Sequence, residues 1–353
     1  LPLNKNNQTI ALIGPLASDK NSSLGNWRSQ AISNSATSVL EAMTNYSGNK
    51  LFYEKGVDLY YNNTDFHNRV NLNFDDRSEF NKAKTVAEKA DIVVMVLGEE
   101  GYQSGEGRSR TNIKLPGLQL ELLKEIYEIN KNIVLVVNSG RPLDLSWEDE
   151  NIPTIVQAWQ LGSRSGEAIA KVLYGDYNPS GKLTMSFPRN VGQVPIYYNF
   201  KNTGRPSTSI EQVTNSGYAD VENSALYPFG HGLSYTKFSY TDVLLDKTEL
   251  TLKSKITLSF KIKNIGTVKG TEIAQMYIRD VVGSIARPMR ELKGFKVVEL
   301  SPGESKVVNF EINAKLLEFY SYNNKWEAEL GDFQVFVGGS SDTSDFQEFE
   351  LVN

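Results

Sequence analysis

Three glutamates, Glu99, Glu100 and Glu106, fall in one short segment that also carries Arg108, Arg110 and the glycines Gly98, Gly101, Gly105 and Gly107. Carboxylates exchange protons and pair with arginines, so this segment is the chemical candidate of the chain. Glycines this close together let the backbone turn sharply and come near another group. Other chemistries are poorly supplied. With no cysteine, thiolate zinc sites and a cysteine nucleophile are excluded. The two histidines, His67 and His231, lie far apart in sequence, which argues against a Ser-His-Asp triad or a histidine metal cluster. His67 reads as an exposed loop residue with no ligand role, and His231, between two glycines, as a structural hydrogen-bonder in a turn. No cofactor and no metal are implied.

The elements that must position these acids can be read around them. Ile92 to Leu97 is an unbroken apolar run, the pattern of a buried strand, and the loop from Gly98 to Arg110 leaves its carboxyl end. In an open α/β sheet that end is where ligands are met. Upstream, Ile10 to Ile13 reads as a strand ending at Gly14-Pro15, followed by a serine-rich loop with Trp27 and Arg28. A nucleotide reading fails there, because neither G-x-G-x-x-G nor a Walker Lys-Ser/Thr pair follows. The spacing predicts a helix over 35–46, a strand at 51–53, a long polar loop over 58–74 and a helix over 78–89. After Pro116-Gly117 a helix carries Leu118, Leu122, Leu123, Ile126 and Ile129 on one side. Strands at 133–137 and 155–159 follow, and Ser163 is placed to cap a helix running to Tyr174. Alternating strands and helices point to an α/β sandwich domain with a mostly parallel sheet.

The pattern changes after Phe187-Pro188. Residues 199–225 are polar and irregular, and Tyr227 to Tyr235 is aromatic enough to be a strap packed on a domain. From about Phe238 every pattern has period two, as in Ile256, Leu258, Phe260 and Ile262, with turn signals between the runs. About seven short strands suggest a β-sandwich of immunoglobulin or fibronectin type III kind. The predicted division is 1–198 for the α/β sandwich, 199–237 for the connecting segment and strap, and 238–353 for the all-β domain. A length of 353 residues suits two domains, and a net charge of −5 argues against a nucleic-acid partner. No run approaches the ~18 apolar residues of a membrane span, and Leu1-Pro2-Leu3 before a polar turn is not a signal peptide.

Taken together the motifs resemble glycoside hydrolase family 3 and, within it, the bacterial periplasmic β-glucosidases. The resemblance is carried by Ile10 to Ala17, the Gly98 to Pro116 loop, Ser139-Gly140-Arg141-Pro142 and Leu173 to Leu183. Further on it is carried by Ser186-Phe187-Pro188, the Tyr227 to Tyr235 strap, Arg287-Pro288 and Glu291-Leu292-Lys293-Gly294-Phe295. It implies a three-part architecture of barrel, α/β sandwich and fibronectin type III-like domain, of which this chain corresponds to the second and third. Leu1-Pro2-Leu3 looks like the end of the linker that follows the barrel, so the chain is expected to be a fragment or a cleavage product. The family nucleophile is an aspartate on the barrel, so no residue here takes that role.

The resemblance implies that Glu106 is the general acid/base; Glu99, directly after the strand, is expected to brace the loop and Glu100 to be solvated. Retention then requires Glu106 about 5–5.5 Å from the nucleophile. Arg108 and Arg110 are expected to pair with carboxylates, and residues 101–107 to be mobile or held only by neighbours. Trp27 is a candidate to stack on a sugar face, with packing at a domain interface as the alternative. The implied activity is hydrolysis of terminal β-D-glucosyl residues by a retaining, exo-acting periplasmic or secreted enzyme, acting on a β-linked oligosaccharide or glucoside. Residues 1–353 alone are expected to be inactive. A β-xylosidase of the same family and a non-catalytic carbohydrate-binding or interaction module stay open. An N-acetylglucosaminidase is disfavoured, since such members take the acid/base from a barrel loop.

Overall fold

The apolar run from Ile92 forms a strand at the centre of a parallel sheet in the computed structural model, which describes residues 1–46, 48–62, 64–207 and 209–353. Residues 1–177 with 190–192 form one unit, and residues 178–189 with 193–353 form a second. The sheet of the first unit contains β1 (Asn6–Ile13), β2 (Gly48–Glu54), β3 (Ile92–Gly98), β4 (Ile133–Asn138) and β5 (Thr154–Gln157). Their order is β2-β1-β3-β4-β5, and every neighbouring pair is parallel. Every residue of β3 and β4 is buried, because a parallel sheet covered on both faces exposes neither face of its central strands. Ile10, Leu12, Val94, Val96, Val134 and Val136 alternate along their strands and share one core with Met43, Ile169 and Leu173. Their intervening neighbours Ala11, Met95 and Leu135 are buried as well.

The helices are α1 (Val39–Thr44), α2 (Phe80–Ala87), α3 (Gln119–Ile129), α4 (Ser146–Asn151) and α5 (Ser165–Leu173). Helix α1 is shorter than the predicted 35–46 because Ser38 closes it. The Ser38 hydroxyl accepts the Glu41 N–H at 3.1 Å, and the Glu41 carboxylate accepts the Ser38 N–H at 2.9 Å. Ser163 does not cap α5, which starts after Arg164 without a side-chain cap. The Ser163 carbonyl instead takes the Thr37 N–H at 2.8 Å. Helix α4, Ser-Trp-Glu-Asp-Glu-Asn, was not foreseen and shows no apolar periodicity.

The second unit carries two sheets. One has the order β10-β9-β14-β15-β7 and contains β7 (Glu249–Thr251), β9 (Gly270–Asp280), β10 (Glu291–Leu300), β14 (Gly331–Gly338) and β15 (Phe346–Val352). The other has the order β11-β8-β6, from β6 (Phe238–Leu245), β8 (Lys255–Asn264) and β11 (Ser305–Asn313). Ile256, Leu258, Phe260 and Ile262 of β8 point inward, as their period of two requires. The short hairpin of β12 (Phe319–Tyr320) and β13 (Trp326–Glu327) and the single-turn α6 (Ala314–Leu317) complete it. Three of these strands, β7, β12 and β13, are too short to leave a periodic signal, and the other seven match the predicted number. The strap is packed, as its aromatic content predicts. Phe187 and Leu183 exchange backbone hydrogen bonds with Leu226, Tyr227, Gly230 and His231, and Tyr227 stacks on the His231 ring at 5.3 Å. The backbone of His231 closes the turn, its N–H donating to the Pro228 carbonyl at 3.0 Å and its carbonyl accepting the Leu183 N–H at 2.8 Å.

Candidate active site

The strand order creates a crevice before any side chain is considered. From β1 the chain goes to β2 on one side, while β3 lies on the other, so the loops after β1 and β3 part at their carboxyl ends. Trp27 and Arg28 lie on the first loop and the three glutamates on the second. The second loop is fixed at both feet by one side chain. Gln119, the fully buried first residue of α3, accepts the Gly98 N–H at 2.9 Å and donates to the carbonyls of Gly98 and Pro116, each at 2.8 Å. Gly98 itself has φ +136° and lies so close to β4 that a Cβ would come within 1.8 Å of the Asn138 oxygen.

Glu99 braces the loop, as its position directly after the strand suggests. Its buried carboxylate sits 2.7 Å from an Arg110 nitrogen and 3.0 Å from Arg141 Nε. Arg141 Nη2 also donates to the carbonyls of Gln103 and Arg108, the latter at 2.8 Å, so this guanidinium joins both limbs of the loop. Nothing in the sequence assigned Arg141 that position; its partners stand more than thirty residues upstream. Arg108 departs from the expected carboxylate pairing and donates to the Phe66 carbonyl at 2.5 Å.

Glu100 is not solvated. It is 1 % exposed, because Arg28 folds over it at 3.1 Å while Thr64 Oγ1 and the Tyr102 N–H donate at 3.2 and 2.6 Å. Burial pushes the Glu100 carboxyl above the ordinary glutamate value, against the lowering effects of the Tyr102 N–H and Arg28. The Arg28 guanidinium also lies 4.0 Å from the Tyr102 ring centroid. The segment 101–107, expected to be mobile or held only by neighbours, differs between its two halves. Gly101 to Gln103 forms a buried 3₁₀ turn capped by Glu100, and Ser104 is buried beside it.

Only Gly105, Glu106 and Gly107 form an exposed tip. Gly105, at φ +105°, rests on Asn26, whose Cγ would be 2.7 Å from any Cβ there. Among the described residues the Glu106 carboxylate has no hydrogen bond or ion pair. Trp27, next to Asn26, is 72 % exposed, with its ring 6.0 Å from that of Phe66. The Asn26–Gly105 contact and the Arg108–Phe66 bond therefore gather Trp27, Phe66 and the Glu106 tip. His67 is exposed beside Phe66 at 5.6 Å, and no group of three or more metal-ligating side chains occurs among the described residues.

One further acid in this unit escaped the sequence. Glu148 on α4 is 1 % exposed, its Oε1 has no partner, and burial together with nearby Asp144 pushes its carboxyl up to about 7. Below the ordinary glutamate range it is protonated in both folded and unfolded chains. Between that range and about pH 7 only the unfolded chain ionises, so stability falls as pH rises, by roughly 3 kcal/mol in total. Glu148→Gln is therefore expected to unfold at a higher temperature than the wild type at pH 8 and at the same temperature at pH 4. A Tm difference that does not change with pH would contradict this.

Comparison with known proteins gives two family matches. Residues 1–235 match the glycosyl hydrolase family 3 C-terminal domain, and residues 272–341 match the fibronectin type III-like domain. A periplasmic beta-glucosidase of Salmonella typhimurium is 41% identical over 100% of this chain and 47% of its own length. A beta-xylosidase of Formosa agariphila is 34% identical over 98% of this chain and 46% of its own. The crystal structure of a Listeria innocua beta-glucosidase in complex with glucose superposes with a TM-score of 0.89 at 34% identity, covering 100% of this chain and 47% of that one. The chain thus spans about half the length of the relatives it matches.

Proposed function

The chain belongs to glycoside hydrolase family 3, and from that premise we propose that the whole protein is a retaining, exo-acting β-glucosidase with Glu106 as its general acid/base. The observation that carries this reading is the sorting of the three glutamates. Glu99 and Glu100 are buried against arginines, while Glu106 stands unpaired on a glycine-flanked tip beside an exposed tryptophan. A carboxylate locked between arginines is poorly suited to carry a proton to a leaving oxygen, whereas the tip carboxylate is free to do so.

In a double displacement, the protonated Glu106 gives its proton to the glycosidic oxygen as a second carboxylate attacks the anomeric carbon. The ionised Glu106 then takes a proton from the water that cleaves the glycosyl ester. The second carboxylate must come within about 5–5.5 Å. In the family that carboxylate is an aspartate on the barrel, and we assign it to the part of the whole protein that corresponds to that barrel. Trp27 supplies a flat apolar face for a sugar ring next to the scissile bond. A β-glycoside in the periplasm is the proposed substrate setting, in keeping with the Salmonella relative. A β-xylosidase is the second reading, favoured by the Formosa relative.

Assay of the whole protein beside residues 1–353 on aryl β-glucoside and aryl β-xyloside tests both readings. Hydrolysis by the whole protein alone, faster on the glucoside, is expected. A preference for the xyloside would favour the second reading, and turnover by residues 1–353 would refute the need for a second carboxylate from elsewhere.

A further inference from the structure

Two glycines of the loop with positive φ each lie against a carboxamide, and the two pairs differ in one respect. At the feet, Gly98 (φ +136°) meets Gln119, whose amide accepts the Gly98 N–H and donates to the Gly98 carbonyl, so both polar atoms of that side chain are used. At the tip, Gly105 (φ +105°) meets Asn26, so closely that a Cβ would stand 2.7 Å from Asn26 Cγ and 3.0 Å from its Oδ1. Asn26 is 4 % exposed, yet neither its Nδ2 nor its Oδ1 has a hydrogen-bond partner among the described residues. The loop is latched at its feet and unlatched at its tip.

The local fold gives the Asn26 amide no other task. Its turn is made by the backbone, where the Asn26 carbonyl takes the Arg28 N–H at 2.9 Å without the side chain. An unpaired buried amide is costly, and a leucine, with the same branching at Cγ, would avoid that cost. The tip above offers what the amide lacks. The N–H and carbonyl of Glu106 make no hydrogen bond among the described residues, and Gly105, having no Cβ, lets that backbone move across Asn26. Arg108 Nε is likewise buried without a partner, so hydrogen-bonding capacity is unused on both flanks of the tip.

We propose that Asn26 is a positioning residue that latches the tip when substrate enters. Its Oδ1 accepts a backbone N–H of residues 105–107 and its Nδ2 donates to a backbone carbonyl there, repeating at the tip the clasp that Gln119 makes at the feet. The clasp holds Glu106 at the glycosidic oxygen without itself touching substrate. Its effect on rate rests on the acid/base role proposed for Glu106, while the latch rests on the Asn26–Gly105 geometry alone.

Asn26→Leu in the whole protein removes both polar atoms. It is expected to leave Tm unchanged or higher, because the amide is unpaired in this structure, and to lower kcat about tenfold for a β-glucoside with a poor leaving group, with KM within about twofold. Formation of the glycosyl ester from a dinitrophenyl glucoside should change less than about twofold, and in a Glu106→Ala background the substitution should add no further loss. Asn26→Ala, which adds no bulk, should show the same split between leaving groups and decides the matter if the leucine variant does not fold. Equal losses on every substrate with a lowered Tm, or an undiminished kcat, would overturn the latch. If Glu106→Ala itself spares the poor leaving group, the acid/base reading fails, and hydrogen exchange decides the latch separately. Saturating glucose should slow amide exchange across residues 104–108 in the wild type and not in Asn26→Leu, and equal exchange in the two would overturn the proposal.

Discussion

Replacing Glu106 by alanine in the whole protein is expected to lower turnover of a β-glucoside with a poorly departing alcohol by about 10²- to 10⁴-fold, the usual worth of positioned proton transfer. The loss arises because an alkoxide leaves slowly without a proton donor. A dinitrophenyl glucoside, whose leaving group needs no proton, should form the glycosyl ester at nearly the normal rate and stall at its hydrolysis. Azide should then restart turnover and give a β-glucosyl azide, since an anionic nucleophile needs no general base and fits the space the carboxylate vacated. Steady-state rates across leaving groups, with and without azide, check each step. Unchanged activity on the poor leaving group would remove Glu106 from the mechanism. The tip makes a clean test, because its side chain has no partner among the described residues to disturb.

The second large effect is expected at Arg141, which bonds the backbone on either side of the tip and not Glu106 itself. Its guanidinium ties Glu99 to the carbonyls of Gln103 and Arg108, so it sets the separation of the two limbs that carry Glu106. Arg141→Met leaves the buried Glu99 paired with Arg110 among the described residues, and frees both limbs. Misplacement of a catalytic group by about 1 Å can cost on the order of 10²-fold, and that is the expected fall in kcat/KM for a poor leaving group. As a positioning residue, Arg141 should show a leaving-group signature. The fall should shrink for activated aryl glucosides, which depend least on the acid, and Arg141→Lys should restore part of the rate by keeping the charge near Glu99. An equal fall for every leaving group in a variant with wild-type circular dichroism would show that the clamp does not act through Glu106.

Much of this was legible in the sequence where the physics is local. The apolar run of β3 can only be a covered strand, period two announces the second unit, and glycines on either side of Glu106 mark an exposed turn. What could not be read depends on partners brought from afar. Glu100 looks like a surface acid until Arg28, 72 residues upstream, folds over it. Ser163 has the right chemistry for a cap, yet its backbone is committed to Thr37 and the helix begins one residue later. Glu148 lies in a run of polar residues, and its burial follows from how α4 docks rather than from any pattern in Ser-Trp-Glu-Asp-Glu-Asn. Residue types thus announced a carboxylate site, while the division of labour among the carboxylates required the third dimension.

Gln119 gives the loop a property that reaches beyond this chain. One amide satisfies both feet of the segment, at Gly98 and Pro116, and does so from a helix that belongs to the core. Between those feet the limbs are buried and held by Arg28 and Arg141, and the exposed tip at 105–107 is the part open to exchange. Residues can be added or exchanged around the tip at the modest, slowly growing entropic cost of a longer loop, while the sheet below keeps its register. A scaffold built this way can re-aim its acid toward differently shaped substrates by editing a few surface positions, leaving the hydrophobic interior untouched.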